Sequence, residues 1–371
     1  MPTRRPGDLP WARLAESERL MKLGVTLVLT MLLEAFAALI AAAERQDVRA
    51  LHEILGRGTE QLLSSGDPVA DRHAREALLA RYHARHELLA DGPNDQVLLL
   101  GEDRWPFAIP LVRTAGRWFW DGAAGAPELV LRRIRANQLR TAEVMRSFVA
   151  AEKKYAAVGH DGAPPGVYAR KLRSSPGKQD GLYWEAAAGE PVSPAGALLA
   201  AAATEGYAVR GGGGTPYHGY LYRLLTSQGP NAKGGTREYL ESGKLTGGFA
   251  ALAYPDSYGA SGIMTFMVNQ DGVVFQRDLG KETAAIAAAI KQFNPDSNWT
   301  RLEPSDADTA LQSSAAAPPA TVSATAERAI PTLLTPPAYA KRPMYVTACS
   351  VVKGGVGSPP LLRPPVTERL S

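Results

Sequence analysis

Ile263-Met264-Thr265-Phe266-Met267-Val268, then Asn269-Gln270-Asp271-Gly272, then Val273-Val274-Phe275-Gln276-Arg277-Asp278 is the stretch whose reading decides the fold. β-Branched and aromatic residues fill both flanks, as half-buried strands require, and the Asp271-Gly272 pair accepts the positive φ of a tight turn. The stretch predicts a β-hairpin. Immediately before it, Gly247–Tyr254 and Tyr217–Leu225 read as further strands. The latter alternates Tyr217, Gly219, Leu221 and Arg223 against His218, Tyr220, Tyr222 and Leu224. An antiparallel sheet follows, closed by an alanine-rich helix over Thr283–Phe293.

Further back, Glu128–Val158 carries Leu131, Ile134, Ala142, Met145, Val149 and Tyr155 at helical spacing. A helix of that length spans roughly 45 Å, enough to join two domains. The residues before it predict helices over Leu32–Arg45, Val48–Leu55 and Val69–Leu89. Strands are predicted at Val97–Leu100, Phe107–Arg113 and Gly116–Asp121. The fold class expected is α+β, with N-terminal helices on a curved, cone-like antiparallel sheet. By fold-level analogy this order is compatible with the nuclear-transport-factor-two-like fold. The organisation read from the chain is a leader at 1–31, an N-terminal α+β domain at 32–126, a connecting helix at 127–158 and a C-terminal antiparallel-sheet domain at 159–300. The remainder, 301–371, is an Ala/Pro-rich tail holding 11 of the 28 prolines and two aromatics, a composition of disorder.

The chain has 371 residues, 45% of them apolar, so a sizeable core is affordable. A net charge of +4, mixed in sign along the chain, argues against a nucleic-acid partner. The single cysteine, Cys349, excludes an intrachain disulfide and a cysteine-based zinc site. Compartment turns on the apolar run Leu23–Ala43, preceded by Met21-Lys22. One reading is an export signal starting at Met21 and ending at the small residues Ala41-Ala42-Ala43. The other makes Leu32–Ala43 the first helix of the domain, with Leu32, Leu33, Phe36, Leu39 and Ile40 on one face, and Leu23–Met31 the leader remnant. A periplasmic protein, or one anchored by residues 23–43, is the expectation; a cytoplasmic one is the alternative.

Six ordered segments then resemble a known pattern. They are Ser64–Asp71, Trp105–Val112, Pro176–Trp184, Pro216–Tyr220, Gly247–Ala250 and Met264–Val274. Together they are similar to the bacterial "domain of unknown function 2950" family, over about residues 32–301. The resemblance attaches no activity; it implies an exported protein of Gram-negative type. Family members often carry an Asp/Gly-rich loop after the long helix, of which this chain keeps one Asp-Gly pair, Asp161-Gly162. A calcium-dependent scaffold through the Asp161 and Asp180 loops is a further reading, although calcium takes six or more oxygens. The second half is also weakly similar, in the order of its elements, to the globular part of type IV pilin-like and pseudopilin proteins.

Candidate sites are few. His83, His86 and Glu87, if on one helical face, could offer three ligands to a zinc-like ion; the bland reading is a solvated face among arginines. Tyr183, Trp184, Tyr217, His218 and Tyr220, with Asp180, could line an aromatic cleft suited to glycan or peptide, or else fill a core. Asp67 and Asp71, with Ser64 and Ser65, have acid/base chemistry available but sit where a helix cap belongs. Gly211–Gly214 lacks the Lys-Ser/Thr of a phosphate loop. No cofactor is implied and no nucleophile setting accompanies His218. Binding or assembly in the cell envelope, to a protein or glycan, is favoured over catalysis. The alternative is a small-ligand or hydrolytic role in an N-terminal cavity lined by Trp105, Tyr82 and Trp118.

Overall fold

The computed structural model describes residues 34–186, 192–207 and 215–303. Residues 34–44 form helix α1, followed by α2 (Val48–Leu55), α3 (Glu60–Leu63) and α4 (Pro68–Ala84). Asp47 caps α2 by accepting from Ala50 N at 2.9 Å, and Pro68 opens α4, where its missing N–H costs nothing. Five strands come next: β1 (His86–Ala90), β2 (Asp95–Leu100), β3 (Trp105–Pro106), β4 (Leu111–Thr114) and β5 (Arg117–Trp120). They form one antiparallel sheet in the order β1-β2-β4-β5, with β3 beside β2. Phe36, Leu39, Leu51 and Leu55 from the helices meet Leu98, Leu100, Ile109, Leu111 and Trp120 in a single core. The predicted inward face of the first helix is therefore the buried one, and Trp120 Nε1 ties it down by donating to Ala35 O.

Three expectations change here. The helix expected to reach Leu89 ends at Ala84, because Arg85 is extended (φ −165°) and residues 86–90 pair antiparallel with Gln96–Leu100. His-Glu-Leu-Leu-Ala has ordinary helix propensity, but pairing across the Asp91-Gly92-Pro93-Asn94 connection overrides it. The long helix, α5, also begins earlier, spanning Gly122–Ala156. Gly122, Gly125 and Pro127 read as breakers, yet Asp121 caps the helix and Gly125 is required by packing: a Cβ there would collide with Ala108 O and Ile109 Cα. Leu131 is exposed rather than inward, while Ile134, Ala142, Met145, Val149 and Tyr155 are buried.

After α5 come α6 (Gly196–Thr204), β6 (Tyr220–Leu225), and the short strands β7 (Ser227–Gln228), β8 (Arg237–Glu238), β9 (Leu240–Glu241) and β10 (Lys244–Leu245). The chain then forms β11 (Ala250–Pro255), β12 (Met264–Asn269), β13 (Phe275–Asp278), α7 (Thr283–Ala289) and β14 (Thr300–Arg301). The hairpin is present as expected, with Met264 opposite Asp278 and Met267 opposite Phe275. Its turn is closed by Gly272 N donating to Asn269 O, with Gly272 at φ +80°. The second sheet has the order β14-β13-β12-β11-β6, all antiparallel.

Alternation along these strands gives each face a partner. Ala251, Ala253, Phe266 and Val268 pack on Met145 and Val149 of α5. Leu225, Leu252 and Met267 pack on Ala287, Phe293 and Trp299 on the opposite side. The helix-on-sheet arrangement expected of the second half is thus present. The described residues belong to one compact unit. The leader at 1–31 and the tail beyond 303 lie outside the described residues, as do Leu32, Leu33 and Gly211–Gly214.

Phe266 is buried to 1% exposure and touches both α5 and Tyr220, whereas Leu131 is 55% exposed on the same helix's outer face. Phe266→Ala is expected to lower unfolding free energy by about 3–5 kcal/mol in urea titration. Leu131→Ala should change it by no more than about 0.5 kcal/mol.

Candidate functional site

α4 starts at a carboxylate that does more than cap. Asp67 Oδ1 accepts from Val69 N (3.1 Å) and Ala70 N (3.0 Å), the N-terminal cap its position implied. Asp67 Oδ2 accepts from the Tyr207 hydroxyl and from Gly219 N, both at 2.9 Å. Four donors from three chain segments therefore meet one buried carboxylate, 1% exposed. Asp71, one turn on, accepts from Ser65 N, and its other oxygen faces Arg133 Nη1 at 3.8 Å. Arg133 in turn donates to Gln61 O and Leu62 O of α3 and to Ala260 O beyond β11, so it links the same layers. Burial lowers its pKa, opposed by Asp71.

Gly219 belongs to a two-residue turn. Tyr217 and Tyr220 exchange backbone hydrogen bonds (2.9 and 3.1 Å) around His218 and Gly219, which have φ +51° and +74°. Positive φ at both central positions is the type I′ signature. Gly219 is required sterically, since a Cβ would lie 2.8 Å from Asn137 Nδ2 and from Ser261 Cβ. His218 has no such excuse, and a side chain in that region costs roughly 1–2 kcal/mol. The cost is offset by placement: the imidazole is buried, tilted against Tyr217 at 4.1 Å and edge-on to Tyr207 at 5.7 Å.

Charge around this turn is divided. Burial first, then Arg140 and His73, push His218 down to about 4, so the imidazole is neutral near pH 7. Its Nε2 lies 3.5 Å from Glu205 Oε2. With a neutral ring and that separation, the contact is a weak polar one and not an ion pair. Glu205 is itself raised, by burial and by Asp67, against the lowering pull of Arg140 and His73. Tyr217 is pushed up to about 12 by burial and Glu205, and Tyr207 still higher by burial and Asp67. Folded His218 resists protonation, so its contribution to stability is lost as pH falls from 6.5 through about 4. The arrangement offers a neutral imidazole, a half-buried carboxylate, a guanidinium and a partly exposed phenol ring within one corner.

The aromatic cleft expected from Tyr183, Trp184, Tyr217, His218 and Tyr220 divides into separate settings. Trp184 and Leu182 pack with Ala151, Tyr155 and Leu199, Tyr183 lies against the same cluster, and His160 lies between the Tyr155 and Trp184 rings. Tyr220 is fully buried on Phe266, its hydroxyl donating to Met264 O. Tyr217 and His218 sit at the Asp67 corner. The two loops bury their rings on different parts of α5, which residue type alone could not reveal.

The metal proposal for His83, His86 and Glu87 is corrected. His83 is on α4, facing Glu44 at 3.3 Å, while His86 and Glu87 are on β1. His86 Nδ1 contacts Tyr82 O, and Glu87 is paired with Arg85 and Arg104. Among the described residues no group of three or more His, Cys, Asp or Glu side chains could hold a metal ion. Both loop carboxylates of the calcium reading are engaged by protein groups. Asp180 is engaged by Lys171 Nζ (2.6 Å) and by Ser175 N and Oγ, and Lys171 first among these pulls it down to about 2. Asp161 accepts from Gln179 N. Trp105, Tyr82 and Trp118 pack against the N-terminal core, with Arg81 and Arg132 over the Trp105 ring at 5.7 and 5.1 Å.

With the geometry in place, comparison settles the kinship. The family model described as "Protein of unknown function (DUF2950)" matches residues 30–302. The chain belongs to the DUF2950 family. No curated protein and no solved structure matches it, and the pilin-like resemblance is not shown. In this DUF2950 chain no helix among the described residues is long and apolar enough to cross a membrane.

Sequence reasoning missed Glu205, Arg140 and Glu152. Glu152 is fully buried on α5, one oxygen accepting from Ala169 N and the other without a hydrogen-bond partner. Burial raises it to about 8. Its neutral form fits the fold, so its stabilising contribution is complete below 4.5 and is lost as pH rises through about 8. Glu152→Gln is expected to flatten the pH dependence of urea unfolding between 4.5 and 8, where the native protein loses up to about 1.4 kcal/mol per pH unit from this group.

Proposed function

We propose that this DUF2950 protein is exported and acts by binding glycan in the bacterial envelope, with the Asp67 corner as its recognition surface. The observation that carries this reading is the partly exposed Tyr217 ring, set beside buried His218 and half-buried Glu205. An aromatic face with a few fixed polar groups is what sugar rings need: C–H bonds meet the ring and hydroxyls meet a carboxylate. The corner is held rigid by Asp67, which favours binding because little ordering remains when the ligand arrives. Export is supported by the family resemblance alone, with Leu23–Met31 read from the sequence as leader remnant. A periplasmic location is the reading that goes with export.

Cell fractionation of the tagged protein, followed by co-sedimentation with purified peptidoglycan sacculi, tests the reading. The native protein is expected in the periplasmic or membrane fraction and in the sacculus pellet. Tyr217→Ala should weaken pelleting about tenfold, the loss of one stacked ring. Recovery from the cytoplasm with no retention on sacculi overturns it.

A further inference from the structure

On the far side of Gly219, a cleft of about 550 Å³ opens between α3 and the turns that follow β11 and β13. Gln61, Asp256, Ser257, Tyr258, Lys281 and Thr283 line it. Its volume falls in the range of small-ligand sites. Asp256 and Lys281 both line this cleft and both are exposed, so an acid and a base are open to a ligand there. An acid and a base on the walls of one cleft match a ligand that carries both charges.

Both groups stand on fixed backbone. Asp256 N donates to Gly219 O, and Ser257 and Ser261 exchange Ser257 N–Ser261 Oγ, Ser261 N–Ser257 O and Ser261 Oγ–Ser257 O bonds. Arg133 and Asn137 of α5 hold the same turn from beneath, through Ala260 O and Ser261 O. The Tyr258 hydroxyl contacts Asp278 Oδ2 at 3.3 Å. Asp278 Oδ1 accepts from Gly280 N, and Thr283 N returns to Gly280 O, which frames Lys281. Such preorganisation leaves the binding cost low. Asp256 also feels the buried Asp67 carboxylate, and this, after desolvation, raises its pKa; a cation beside it relieves the repulsion.

We infer that this cleft binds a zwitterionic short peptide, its ammonium at Asp256 and its carboxylate at Lys281. The inference uses residues other than the Tyr217 corner and holds in any compartment, so it stands or falls apart from the glycan reading. Triglycine, about 10 Å when extended, is the probe, followed by amide chemical shifts of residues 256–259 and 281–284 in the full chain. Saturable shifts at both turns are expected. N-acetylation or C-terminal amidation of the probe should each weaken binding about tenfold, the worth of a charge-assisted hydrogen bond. Asp256→Asn should erase the difference between free and acetylated probe, and Lys281→Met that between free and amidated probe. No saturable shift with triglycine, or equal binding of the doubly blocked probe, overturns the inference without any variant having to fold.

Discussion

One buried carboxylate organises this molecule. Asp67 caps α4 with one oxygen and with the other accepts from Tyr207 and Gly219, on segments that follow α6 and precede β6. A carboxylate taken out of water is costly unless all its acceptor sites are filled, and here four donors fill them. The first helices, the end of α6 and the edge of the second sheet must therefore arrive together for any of them to be stable. Arg133 repeats the logic with opposite charge, donating to α3 on one side and to the Ala260 carbonyl on the other. The strained His218 turn persists because this anchor fixes its neighbour Gly219.

α5 transmits the same constraint along its length. Its buried stripe reads Ile134, Asn137, Thr141, Met145, Val149, Glu152 and Tyr155, with the apolar members packing and the polar ones reaching across. Asn137 donates to Ser261 O, Thr141 meets the Tyr222 hydroxyl, and Glu152 receives Ala169 N. Asn137 and Glu152 mark places where a loop crosses the helix, and Thr141 marks where strand β6 does. The helix is less a linker than a common spine for two sheets, and both proposed binding surfaces lie where loops cross it near Asn137.

What was legible in the chain follows from locality. The Asp271-Gly272 hairpin, the Asp67 cap and the inward face of α1 each depend on residues within a few positions, and each is present. Strand β1 was not legible, because His86–Ala90 becomes a strand only by pairing with β2. The start of α5 was hidden since Gly125 looks like a breaker until Ile109 is seen against it. The site was half legible. A cap at Asp67 could be read, but Tyr207 and Gly219 lie 140 and 152 residues away, and no spacing rule links them. Grouping Tyr183 and Trp184 with Tyr217 used residue type where only loop placement decides.

The anchor is most directly tested by a double-mutant cycle of Asp67→Asn and Tyr207→Phe, read by urea unfolding. If Asp67 holds the layers through Tyr207, the two changes share one interaction, and a coupling energy of about 1 kcal/mol or more is predicted. Additivity to within about 0.3 kcal/mol would contradict the account, leaving Asp67 a helix cap and nothing further.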